Sequence, residues 1–112
     1  MDINNRLRKD TQFRKVYKKG RSYGNSLMVL YVYKNKLDYN RVGFSVSKKV
    51  GNSVKRNKVK RRMKEIYRLN VDKFKNGFDL IFIPKKSTAE SSYLDIQSAM
   101  LHLLSISHVL KK

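Results

Sequence analysis

The stretch RVGFSVSKKVGNSVKRNKVKRRMKEIYRL, residues 41–69, decides the reading of the chain. Its first part alternates: Val42, Phe44 and Val46 are separated by Arg41, Gly43, Ser45 and Ser47, the period of a strand with one buried face and a polar side to spare. A loop at Lys48–Gly51 follows, and Asn52 or Ser53 can cap a helix running to about Leu69. At about 100° per residue, Val59, Met63, Ile66 and Tyr67 fall into one narrow arc, as a core-facing stripe does. Asn57, Lys60, Arg61, Lys64 and Arg68 share the flank beside it. A strand feeding a helix with one apolar stripe and a cationic remainder implies a sheet bounded by a wall of positive charge.

Working outward toward the N-terminus, Thr11 to Lys19 reads as a short helix, with Asp10 or Thr11 as N-cap and Gly20 as the stop. Phe13, Val16 and Tyr17 stand at i, i+3 and i+4 on it. Arg21 to Asn25 fits a brief extended segment. Leu27 to Tyr33 is an uninterrupted aliphatic and aromatic run, the pattern of a strand buried on both faces, and Lys34 to Asn40 reads as a turn. Toward the C-terminus, Phe78 to Ile83 forms another strand ended by Pro84. A last helix from about Ser92 to Val109 buries Ile96, Met100, Leu103 and Leu104. The order is helix, two or three strands, basic helix, strand, helix: one sheet covered by helices in an α+β sandwich. The 112 residues fit a single domain, 1–112, with no repeat or linker.

Charge narrows the function. The 27 Lys and Arg against 8 Asp and Glu leave +19, which opposes compaction unless a polyanion is bound. Residues 1–23 carry eight basic and two acidic side chains, and residues 48–68 carry ten basic and one acidic, so two short segments hold most of the field. No segment reaches the roughly 20 apolar residues that span a bilayer. The N-terminal Met1-Asp2-Ile3-Asn4-Asn5-Arg6 has no signal-peptide core, so a cytoplasmic location is the default. The absence of cysteine removes disulfide-linked partners and thiolate metal sites.

Chemistry by the protein itself finds no support. His102 and His108 stand six apart, poor geometry for one helical face, and read as ordinary surface or semi-buried residues. The carboxylates are scattered, no metal-ligand cluster appears, and no Gly-rich phosphate loop is present. The ladder Arg56, Lys60, Lys64 and Arg68 is different. Like charges at i and i+4 destabilise a helix by a few tenths of a kcal/mol per pair, so contact with nucleic acid explains it better than a solvated face does.

Residues 41–61 resemble the signature of the bacterial ribonuclease P protein family, whose core motif is Arg-Asn-Arg. Here it reads Arg56-Asn57-Lys58, with the third position keeping the charge but losing the planar fork. Arg6 to Gly20 is similar to that family's opening helix, and the resemblance is strong between 41 and 64 and weaker after 85. It implies an αβββαβα fold, a two-layer sandwich with a mixed sheet and a left-handed βαβ crossover, against the general right-handed rule. It further implies a subunit of a ribonucleoprotein endonuclease that removes the 5′ leader of precursor tRNA. The active site would lie in a Mg²⁺-dependent catalytic RNA, and the protein would bind no cofactor itself. Carried over position by position, Lys48, Lys49, Arg56, Asn57, Lys58, Arg61 and Arg62 would meet the catalytic RNA, and Phe13, Tyr17 and Tyr31 would line a cleft for the leader. Lys60, Lys64 and Arg68 would edge that cleft.

Two other readings stay open on the residues alone. Without the resemblance, Phe13 and Tyr17 fit a pair of core aromatics anchoring a short helix better than they fit a cleft. The whole chain also suits a ribosomal or other RNA-binding protein without a processing role. A membrane-surface helix at 53–69 fits less well, because its apolar face is narrow and carries little of the Trp, Phe and Leu that such helices bury.

Overall fold

The structure, a computed structural model, describes residues 5–111; Met1 to Asn4, most of the segment on which the signal-peptide argument rested, and Lys112 lie outside the described residues. The elements run α1 (Asp10–Lys19), β1 (Arg21–Gly24), β2 (Met28–Lys34), β3 (Arg41–Phe44), α2 (Ser53–Asn70), β4 (Phe78–Pro84) and α3 (Tyr93–Ile106), joined by short 3-10 turns. The αβββαβα order expected from the sequence is the one observed.

The strands form one mixed sheet in the order β1-β2-β4-β3. β1 with β2 and β2 with β4 pair antiparallel, whereas β3 lies parallel to β4, so β3-α2-β4 is a βαβ unit. The register sorts the residues into two faces. Val32, Leu80 and Val42 form one cross-strand row and Leu30, Phe82 and Phe44 another. Both rows look toward α2 and α3, where Val59, Met63, Ile66, Ile96, Met100 and Leu103 complete the main core. Tyr31, Ile81 and Gly43 form the intervening row on the opposite face. There Ile81 meets Val16 of α1 and Leu7 in a second, smaller cluster. Among the described residues, α1 and Leu7 cover this face, and only in part.

Several boundaries differ from expectation for local reasons. The cap of α1 is Lys9, not Asp10 or Thr11, because the Gln12 side chain turns back to accept from Arg8 N and Lys9 N, at 2.8 and 3.2 Å. β2 is buried on one face and half-buried on the other, since α1 covers only part of the second face. β3 ends at Phe44 rather than Ser47, and its second side is not spare. Arg41 makes two hydrogen bonds of 2.7 and 2.8 Å to the buried Asp79, and Gly43 lies under α1. α3 stops at Ile106, and His108 takes a left-handed φ of 63°. Asn52 caps α2 through Lys55 N, and Ser92 caps α3 through Asp95 N.

The outer edge of β3 is closed by the N-terminal segment: Leu7 N donates to Val42 O at 3.0 Å and Val42 N to Asn5 O at 3.2 Å. That pairing covers a strand edge that would otherwise present unpaired backbone groups. It also carries Arg6 to the side of the sheet where α2 begins to matter.

Candidate nucleic-acid interface

The three nominated aromatics come together on the face that α1 half covers. Tyr31 stands in the central row, and the Tyr17 ring meets it edge-on with centroids 5.0 Å apart at 84°. Tyr17 is 39% exposed, far more than a core anchor would be. Phe13, half-buried, can reach β3 at Gly43 because that residue has no side chain: a Cβ there would come within 2.6 Å of two Phe13 ring carbons. Lys15 Nζ sits 5.5 Å from the Tyr33 ring centroid, a cation–π contact on the same face. Val16, not Phe13 or Tyr17, is the residue of α1 that is fully buried. The aromatics therefore form a partly open floor, in which Phe13 also packs against the smaller core cluster and Tyr17 is the more exposed.

The cations of α2 divide by their position around the helix. Asn57, Lys60, Arg61 and Lys64, with Val54, line one open concavity. Residues nominated for the catalytic RNA (Asn57, Arg61) and for the leader (Lys60, Lys64) thus share a surface. Lys64 is held below the usual ammonium range, first by partial burial and then by the neighbouring charges of Arg6 and Lys60. Arg6 therefore belongs to this cluster, although no sequence signal nominated it.

The other α2 positions are engaged differently. Arg62 turns to the opposite flank, where its Nη1 donates to Ser91 O at 3.2 Å and ties α2 to the start of α3. Arg68 is paired with Glu65 at 2.6 Å, so its charge is largely answered within the helix. Arg56 is half-buried, with its Nε buried and without a hydrogen-bond partner among the described residues. Lys58 is exposed, as are Lys48 and Lys49 in the 3-10 turn before α2, where Ser47 Oγ accepts from Lys49 N. Of the described Lys and Arg residues, only Arg41, Lys55 and Arg68 have a carboxylate within ion-pair distance. The remainder have no carboxylate among the described residues to answer their charge, which is costly to a lone protein and favourable beside a polyanion.

Acid–base chemistry has little to draw on. The buried carboxylate, Asp79, is consumed by Arg41 and by Asn35 Nδ2 at 2.9 Å. His102 is exposed beside the Asn25 side chain, and His108 occupies a turn. No group of three or more metal-ligating side chains occurs among the described residues, and no helix there is long and apolar enough to cross a membrane.

Fold and site together define a small basic α+β protein in which an aromatic floor accompanies a helix whose cations are mostly unanswered by carboxylates. Residues 1–107 match the family model described as Ribonuclease P. The chain belongs to the ribonuclease P protein family. It is 55% identical over 104 residues to the ribonuclease P protein component of Alkaliphilus metalliredigens, covering 93% of this chain and 94% of that one. Among solved structures it is similar to the ribonuclease P protein of Staphylococcus aureus, with a TM-score of 0.88 at 37% identity and coverage of 96% and 98%. The protein from Thermotoga maritima superposes with a TM-score of 0.83 at 35% identity, covering 90% of this chain and 96% of that one.

Proposed function

We propose that this chain acts as the protein subunit of ribonuclease P, binding the catalytic RNA and receiving the 5′ leader of precursor tRNA on the α1 face of the sheet. The observation that carries the leader assignment is the convergence of Phe13, Tyr17 and Tyr31 on one partly open face. Single-stranded RNA is held by stacked bases in a cationic groove, each base worth about 1–3 kcal/mol. Rings that are fixed from below and open above satisfy the first requirement. Lys60, Lys64 and Arg6 satisfy the second, because their mutual repulsion falls when a phosphate enters among them.

The catalytic RNA would be met by the exposed charges at Lys48, Lys49, Lys58 and Arg61, with Asn57 beside them and Arg56 setting the inner edge of the helix. Mg²⁺ bound by that RNA would supply the activated water and stabilise the departing oxygen. The protein's own part is binding and orientation: holding the leader raises the fraction of encounters in which the scissile phosphate is correctly placed. Such a protein works in the cytoplasm, where precursor tRNA is made.

Reconstitution tests this. The chain is mixed with a bacterial ribonuclease P RNA, and cleavage of precursor tRNA is followed at a Mg²⁺ concentration where the RNA alone is slow. Stimulated release of an intact leader and a 5′-phosphorylated tRNA supports the proposal. RNA binding without stimulation would favour an RNA-binding protein with no processing role.

A further inference from the structure

A second basic concavity, of about 680 Å³, is lined by none of Phe13, Tyr17 and Tyr31. Arg21, Lys34 and Lys75 stand on its rim, and Lys19 joins them from the last turn of α1. Its walls include Tyr23, Val32 and Phe78. Val32 belongs to the main core and Tyr23 and Phe78 pack against it, whereas Tyr33, which also lines the hollow, packs against the smaller cluster of the α1 face; the hollow thus lies mainly on the α3 side of the sheet. Ser107 and His108 close it beyond the end of α3.

The hollow is built into the fold. Lys75 N donates to Val109 O at 2.7 Å, Lys111 N to Lys73 O at 2.8 Å, and Asn40 Nδ2 to Lys75 O at 2.8 Å, pinning the wall that carries Lys75 and His108. None of Lys19, Arg21, Lys34 and Lys75 has a carboxylate within ion-pair distance among the described residues. A helix C-terminus nearby would repel an anion. Here, however, the carbonyls of Leu103, Leu104 and Ser105 already accept from the backbone at Ser107, His108, Val109 and Leu110. Unanswered cations with an aromatic wall are the chemistry of a nucleotide step, phosphate against ammonium and base against ring.

We infer that this hollow is a second RNA-binding site, which takes a short single-stranded stretch through Arg21, Lys34, Lys19 and Lys75, with a base against Tyr23. Four cations exceed what one free phosphate answers, which favours consecutive phosphodiesters of a strand over a lone anion.

The test is an NMR titration of the full chain with tetrauridylate, following the ring resonances of His108 and Tyr23. Saturable shifts are expected. An Arg21→Gln/Lys34→Gln variant should weaken them about tenfold or more, as removal of two charge-assisted contacts does. Lys75→Gln alone should weaken them less, and provides a second reading if the double variant is poorly folded. Lys60→Gln/Lys64→Gln should leave the shifts intact, which separates this site from the leader face. The inference is overturned if the two rings do not respond, or if inorganic phosphate at equal phosphorus concentration shifts them as strongly. It is equally overturned if the response follows Lys60 and Lys64.

Discussion

Gly43→Ala puts one methyl group where the Phe13 ring now lies. The added carbon would stand 2.6 Å from two ring carbons and 3.5 Å from Leu7 Cδ1. Carbon contacts are most favourable at about 3.5–4.0 Å, so the ring must retreat by about 1 Å or swing away. Overpacking of this kind costs about 1–3 kcal/mol, partly offset by about 0.5–1 kcal/mol from replacing glycine within a strand. The protein should therefore remain folded and melt several degrees lower, each kcal/mol being worth about 4–8 °C in a domain near this size. The larger effect should fall on RNA. A displaced Phe13 loses a stacked base worth about 1–3 kcal/mol, weakening precursor tRNA binding by about five- to 150-fold. Calorimetric melting of the free protein and precursor affinity of the reconstituted holoenzyme measure the two effects. Unchanged melting and unchanged affinity together would refute the claim that Gly43 seats Phe13 in the leader site.

Replacing Lys60 and Lys64 by Ala should flatten the dependence of log affinity on log salt by about 0.7 per lost single-strand contact, measured with leader-bearing RNA from low to moderate salt. Arg41→Ala strands the Asp79 carboxylate, whose side chain is 2% exposed, with Asn35 as its remaining side-chain partner. Denaturant unfolding should show a loss of about 3–5 kcal/mol, the usual cost of breaking a buried pair by removing one member. Burial holds the Tyr67 hydroxyl well above its ordinary value of 10.0. Its contribution to stability is thus fully present below about pH 10 and is lost as pH rises toward the folded value, because the unfolded chain releases that proton first. Tyr67→Phe should show a shallower loss of stability between pH 10 and 11 than the parent protein.

Periodicity made the framework legible. The apolar stripe Val59, Met63, Ile66 and Tyr67 is buried as its spacing required, and Asn52 and Ser92 cap the helices they precede. What the pattern could not supply was the second face of the sheet. The unbroken apolar run of β2 reads as burial on both sides, yet α1 is too short to cover its face, and that shortfall is what leaves Tyr31 reachable. Gly43 carried a signal, since a glycine inside a strand marks close approach of another group; which group depends on how α1 docks. Arg6 carried none, because its place follows from a backbone pairing between residues 5–7 and β3. The cationic ladder on α2 looked uniform, whereas tertiary contacts turn Arg62 to Ser91 and bury the Arg56 Nε, and Glu65 takes Arg68.

The division of labour between the aromatic floor and α2 is the central claim, and the ratio of precursor to mature tRNA affinity in reconstituted holoenzyme measures it most directly. Phe13→Leu and Tyr17→Leu keep apolar bulk while removing the ring. Each should weaken precursor binding by about five- to 150-fold, leave mature tRNA, which has no leader, unaffected, and so collapse the ratio. Arg56→Ala should instead weaken assembly with the catalytic RNA and leave the ratio nearly unchanged. If the two ring substitutions lower precursor and mature binding equally, Phe13 and Tyr17 serve the core and the leader does not pass over them.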